Sequence, residues 1–291
     1  MVSPTLTKVL LALVPRVVMA AMHTTTIRAS ITAYSTAVGP SSAFKNDTIF
    51  FATVNMGLSR NVGEPLGNPD GMSSSPDRTQ LVFFERRGTD SDLWLLDVRR
   101  GLVSRLTEEP DEDIFPIWAG DGKRIIYSAV HNGQVSLYER DLASSGRKPL
   151  IQGSTVELFA TDTSPDGRYI VYQHNNPKTG WDVLALPPEP GAAPVPIVQT
   201  DADERTGRLS SDGRWLAFVS NNSGVSEIYV QPFPGPGARV RVSTRGGDQP
   251  EWRPDGSELF YIALDGKLMA VPIKPAADRS SIDVGEAAFR C

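Results

Sequence analysis

Apolar residues in this chain come in short runs, and the polar stretches between them are rich in Asp, Gly, Asn and Pro. Residues 125–128, 170–172, 216–219 and 259–262 mix aliphatic with aromatic side chains, as strands covered on both faces do. A second run follows each of these after a polar loop: residues 135–138, 183–186, 228–230 and 268–273, with 93–98 as the counterpart further upstream. Thinner runs come next ("VSRLT", "KPLIQ", "VPIVQ", "RVRVST"), and others stand ahead, as in "IFPIW" and "DQPEW". The pattern predicts strands throughout.

The runs hang on a recurring corner, seen as "SPDG", "SSDG", "RPDG", "AGDG" and "SPDR". Its aspartates are Asp77, Asp121, Asp166, Asp212 and Asp255, at separations of 44, 45, 46 and 43 residues. Proline fixes φ, the carboxylate bonds the local backbone, and glycine tolerates positive φ, so each corner is a tight turn. A period of this size is that of a propeller blade with four strands. One such meander is too small to stand alone and needs neighbours on both faces, which radial packing supplies.

Five units are predicted, near 71–108, 114–152, 157–200, 205–244 and 248–291. A sixth, degenerate unit precedes them: "NDTIFFATVNMGLSRNVGEPLGN" carries a strand at 49–54, with Asp47 only 30 residues before Asp77. The expectation is an all-β, six-bladed propeller over residues 44–291, with five blades as the fallback. Residues 1–43 form a leader, either a signal or a disordered segment. Lys8, the apolar residues 9–14 and Ala20-Ala21 have the outline of a secretory signal, but Pro15 and Arg16 interrupt it. The segment is too short and too charged to span a bilayer.

Composition narrows the partners. Hydrophobic residues make up 40% and charged residues 22%, which is ordinary for a globular chain. A net charge of −5 advertises no basic face for nucleic acid. The one cysteine, Cys291, permits no internal disulfide and no cysteine-built metal site.

The Ser-Pro-Asp-Gly corners, Trp118 and Trp252 ahead of two of them, and "DLWLLD", "EIYVQPFPGPG" and "QPEWRPDGSELFYIALDGKLMAVPI" resemble the TolB-like propellers of WD-repeat-like units. The resemblance covers about 45 to 290 and is most specific from 210 to 273. That stretch is similar to propellers attached to bacterial Ser/Thr kinases. The resemblance implies a scaffold that presents loops to a protein or peptide, in the periplasm within an envelope complex or as the sensor part of a kinase polypeptide. The chain has no room for the extra amino-terminal domain of TolB. It also carries no glycine-rich loop, His-Arg-Asp or Asp-Phe-Gly of a kinase.

Candidate chemistry is sparse. No Gly-x-Ser-x-Gly elbow of a propeller-capped hydrolase occurs. His131 and His174 occupy equivalent places in consecutive units without a serine at triad spacing, and His23 lies in the leader. Two connectors between units are acidic: Glu108, Glu109, Asp111, Glu112 and Asp113, then Asp201, Asp203 and Glu204. In a propeller these emerge on the face that also carries the loops between second and third strands. Asp113 is expected at the mouth of the central channel. The carboxylates would meet a basic peptide, or hold Ca²⁺ as hard oxygen ligands; solvated loops are the plain alternative. No cofactor is implied. The tryptophans are expected between blades, with Trp181, after a polar loop, the most accessible. "PFPGPGARV" and "PPEPGAAPVP" read as stiff connectors. The favoured reading is a non-enzymatic binder of a protein or peptide; a metal-dependent propeller hydrolase or lactonase is the enzymatic alternative.

Overall fold

The computed structural model describes residues 7–9, 48–50, 69–87, 90–144, 146–189, 191–235, 237–276 and 281–289. The leader and most of the degenerate first unit lie outside these. Of them, strands β1 (Thr7–Val9) and β2 (Thr48–Phe50) are described, paired in parallel.

Each corner closes as its residue types dictate. In the third described sheet Gly167 N–H donates to Ser164 O at 2.8 Å, and Gly167 takes φ +71°. Ser164 Oγ donates to Asp166 Oδ1 (2.7 Å) and accepts from Tyr169 N (2.9 Å), so one buried hydroxyl ties the turn to the next strand. Ser75 with Asp77 and Ser210 with Asp212 repeat the device. Arg253 replaces the serine in the last corner and reaches Glu258 and Asp255 instead.

Between corners run four-stranded antiparallel meanders. The first has β3 (Pro69–Ser74), β4 (Gln80–Arg87), β5 (Asp90–Asp97) and β6 (Leu102–Arg105). The second has β7 (Glu112–Trp118), β8 (Arg124–His131), β9 (Gln134–Asp141) and β10 (Arg147–Ser154). The third has β11 (Leu158–Thr163), β12 (Ile170–Asn176), β13 (Gly180–Leu186) and β14 (Val195–Val198). The fourth has β15 (Glu204–Leu209), β16 (Trp215–Ser220), β17 (Glu227–Pro232) and β18 (Val240–Arg241). The fifth has β19 (Asp248–Trp252), β20 (Glu258–Ile262) and β21 (Leu268–Pro275); its outer position is split between β22 (Ile282–Val284) and β23 (Ala288–Phe289), both on β21. Among the described residues there is no helix, hence none long and apolar enough to cross a membrane.

The chain divides into two compact units, residues 1–116 and 117–290. In the first, Leu81, Phe83, Leu96 and Val98 form a core, and Phe84 meets Phe115 edge-on at 5.3 Å. In the second, successive residues of one strand face opposite neighbours. On β12 and β13, Val171, Val183 and Ala185 pack on Leu209, Leu216 and Phe218 of the fourth sheet. Ile170, Tyr172, Leu184 and Leu186 pack on Ile126, Val135 and Leu137 of the second. The fourth sheet buries Trp215, Ala217 and Val219 against Trp252, Leu259 and Tyr261 of the fifth. Full burial of one such aliphatic side chain stabilises by about 1.5–3 kcal/mol, so these faces dominate the energetics. Side chains also lace the sheets: Ser128 Oγ donates to Leu158 O (2.9 Å), and Trp252 Nε1 to Arg208 O (3.0 Å).

The first strands share one irregularity. Register slips between Asp70 and Ser73, Ala160 and Asp162, Arg205 and Arg208, and Asp248 and Glu251. Gly71, Phe115, Thr206 and Gln249, each six residues before its corner aspartate, take φ of +51° to +54°. These are β-bulges, which bend a strand and re-aim its side chains.

Two substitutions test this packing. Arg78 holds the left-handed corner position (φ +60°) that glycine holds in the later corners. Arg78→Gly is expected to stabilise by about 0.5–1 kcal/mol, because an L-residue pays a steric cost there; calorimetry reads it as a raised melting temperature. A Cβ on Gly207 would lie 2.9 Å from Val171 Cγ1 and 3.0 Å from Val183 Cγ1. Gly207→Ala is expected to destabilise by about 1–3 kcal/mol in urea unfolding, and an unchanged midpoint would refute the close approach.

Candidate functional site

The bulge puts two positions of each first strand, seven and four residues before the corner aspartate, on the same side. In the third, fourth and fifth sheets these are Phe159, Arg205 and Asp248, then Asp162, Arg208 and Glu251. All six are half-buried, whereas Leu158, Glu204 and Gly247 before them and Thr163, Leu209 and Trp252 after them are buried. The second unit therefore carries a two-tier polar strip along β11, β15 and β19.

In the lower tier Arg208 is the hinge. Its guanidinium donates to Thr161 O and lies 3.4 Å (Nε) from Glu251 Oε2. Asp162 accepts Leu209 N at 2.7 Å and Thr163 N at 2.8 Å, so it caps the neighbouring strand's open edge. Burial pushes the Asp162 carboxyl up, opposed by Arg208 and by those two N–H donors. Burial also pushes Glu251 up; Arg208 opposes this and Asp162 adds to it. Glu251 keeps 41% of its side-chain surface.

In the upper tier Phe159 stacks on Trp181 at 5.7 Å, and the Arg205 guanidinium lies 5.2 Å from the indole ring centroid. Asp203 holds Arg205 (3.2 Å) and accepts Trp181 N (3.0 Å), while its own N–H donates to Asn221 Oδ1 (3.0 Å). Thr206 N, at the bulge, donates to Gln173 Oε1 (2.8 Å). Asp248 is raised by burial, against the Gln249 N–H and Arg205.

The acidic connectors split between inward and outward roles. Glu108 and Asp201 are exposed; Glu109, Glu112 and Asp203 are half-buried. Asp111 (8% exposed), Asp113 (0%) and Glu204 (0%) are buried, which corrects the expectation of surface carboxylates at those three positions. Glu204 accepts from Thr200 Oγ1 (2.5 Å), Thr200 N (3.2 Å) and Ser220 Oγ (3.3 Å): it pins the connector to its own sheet. Burial raises its pKa despite those bonds and Arg239. Trp181 is corrected too. It is 9% exposed because Phe159 and Arg205 cover its faces.

A second set of carboxylates escaped notice in the sequence. Asp92, Asp182 and Glu227 lie near the start of a third strand and are buried. Asp92 pairs with Arg105 (2.8 Å), Glu227 accepts from Ser243 Oγ, and Asp182 Oδ2 gathers Gln199, Thr179, Asn176 and His174 within 3.2 Å. The repeated acid before an apolar run ("DLW", "DVL", "EIY") was the available signal. His131 is exposed at the end of β8, just before the hairpin turn. Among the described residues no group of three or more His, Cys, Asp or Glu is set to hold a metal ion.

No family model matches the chain. An uncharacterized protein of Agrobacterium fabrum is 24% identical over 188 residues, 65% of this chain and 52% of that one, so the chain spans about half the length of that relative. Among solved structures, TolB from Acinetobacter baumannii superposes with a TM-score of 0.60 at 18% identity, over 78% of this chain and 60% of that one. The putative TolB from Agrobacterium tumefaciens gives 0.60 at 16% identity, over 78% of this chain and 85% of that one. The fold is that of the TolB-like β-propellers. Enzymes share it: prolyl endopeptidases match at a TM-score of 0.54 and an oligogalacturonate lyase from Vibrio parahaemolyticus at 0.52. The five meanders are its blades, and β3, β7, β11, β15 and β19 its first strands.

The shifts set two pH windows. Hydrogen bonds from Ser164 and Arg168 hold Asp166 down at about 2, and Asp77 and Asp255 are lowered likewise by serine. A depressed carboxylate stabilises above its unfolded pKa, so this contribution is lost as pH falls from about 4 towards about 2. Asp162, Asp248 and Glu251 act oppositely. The folded state holds their protons more tightly than the unfolded chain, so stability falls as pH rises upward from about 4 through the raised values. The melting temperature of Glu251→Gln is expected to decline less than wild type above pH 4 and to fall in parallel with it below. Identical slopes above pH 4 would contradict the assignment.

Proposed function

We propose that this chain is a non-enzymatic, extracytoplasmic scaffold that takes a protein or peptide partner on the face carrying the connectors into the first strands. The observation that carries this reading is the fixing of one connector by Asp203. That residue joins the third blade through Trp181 N, the fourth through Asn221, and the first-strand strip through Arg205. Connector, second-to-third-strand loops and strip thus meet at one end of the second unit, with Asp201 exposed beside them. A surface held in place before binding loses little entropy on association. Its charges favour a basic partner and the register in which it docks.

The histidines also support binding over catalysis. His174 is held by Asp182 (3.2 Å), and His131 stands exposed at the end of β8. TolB-likeness favours a periplasmic setting and association with an envelope complex.

Panning a random-peptide display library on the intact chain tests the reading. The enriched peptides are expected to be basic and to lose tenfold or more in affinity for an Asp201→Asn variant. Peptides that bind both proteins equally, or no enrichment, would remove this face as the partner surface.

A further inference from the structure

We infer that the strip along β11, β15 and β19 receives a single cationic side chain, the ammonium or guanidinium of a lysine or arginine in a peptide partner. The inference rests on the scaffold reading and names what enters the site.

The first strands of a propeller surround its central channel, and the strip is the half-exposed side of three of them. Around it two arginines face four carboxylates: Arg205 and Arg208 against Asp162, Asp203, Asp248 and Glu251. Both arginines are engaged, Arg205 by Asp203 and the Trp181 face, Arg208 by Thr161 O and Glu251. Asp162 spends both oxygens on backbone N–H groups. Acceptor capacity is left on β19. Among the described residues Asp248 accepts only the Gln249 N–H, through Oδ1, and Glu251 meets only Arg208, through Oε2. Asp248 Oδ2 and Glu251 Oε1 are therefore open to a donor from outside, three residues apart on one side of a bulged strand.

Chemistry decides which donor. An anion would have to displace intramolecular carboxylates from both arginines. A hard divalent cation seeks six to eight oxygens, and no group of three or more ligating side chains stands among the described residues. One ammonium or guanidinium needs two acceptors and an apolar wall for its stem. The Phe159–Trp181 stack lines the strip's upper tier, and Val225 (48% exposed) and Leu264 (65%) stand exposed in the second-to-third-strand loops of the fourth and fifth blades. Burial raises both β19 carboxylates, and a cation seated between them would offset that burial and favour their ionised forms.

The probe is agmatine, a guanidinium on a four-carbon stem that ends in an ammonium, titrated into the full chain at neutral pH with melting temperature as the readout. At tenfold excess over its dissociation constant the expected rise is about 3 °C. Asp248→Asn and Glu251→Gln are expected each to abolish it, and Asp265→Asn, which removes an exposed acid paired with Lys267 outside the strip, to leave it intact. An equal rise in all four proteins would reduce the effect to general screening and overturn the site. A larger rise with calcium chloride, lost in the same two variants, would overturn it in favour of a metal site. If agmatine is inert up to about 100 mM while display-selected peptides still bind, the strip is refuted and the scaffold reading stands; if the peptides fail as well, both fall.

Discussion

The third and fourth sheets each have two apolar faces, and neither can meet water. That constraint organises the rest. Residues alternate across the strand, so Val171 serves one neighbour and Ile170 the other. The neighbours must come close enough to fill both sides. Glycine is what permits the closest approach: Gly207 and Gly247 stand where a Cβ would press on Val171 or Tyr261. The corners set where each sheet begins, and the two-sided burial fixes what lies beside it.

A stack of such sheets leaves the first strand of each with an unpaired edge, and open edges invite mispairing. Bulges answer part of the problem by bending the strand, and side chains answer the rest. Asp162 occupies the Leu209 N–H, Arg208 the Thr161 carbonyl, and Trp252 the Arg208 carbonyl. The same groups that close the edge also concentrate charge along it. A structural need thus leaves a polar strip at the centre of an otherwise apolar packing arrangement, with carboxylates shifted upward by the crowding.

Fold alone does not assign activity, since TolB proteins and prolyl endopeptidases share this architecture. What distinguishes one propeller from another is the furniture of its connectors and first strands. Here three of the eight acidic connector residues, Asp111, Asp113 and Glu204, are buried. Glu204 ties Thr200 to Ser220, a capping role for which a carboxylate suits better than an amide because it accepts from several donors at once. The outward remainder, together with Asp203 and the strip, is the part with chemistry to spare.

The repeat was legible in the sequence because it rests on local chemistry. A Pro-Asp-Gly corner closes on its own residues, and apolar alternation marks the strands on each side, so the successive four-stranded sheets followed from spacing. Burial of individual polar groups was not legible. Asp113 and Asp201 look alike in the chain, and only the neighbouring strand decides that one is enclosed and the other free; Trp181 follows a polar loop but is covered by Phe159 and Arg205, 22 and 24 residues away. The strip was hidden for the same reason. Its six members lie on three strands, and a one-residue bulge in each, set by the packing of whole sheets, is what brings positions three apart to the same side.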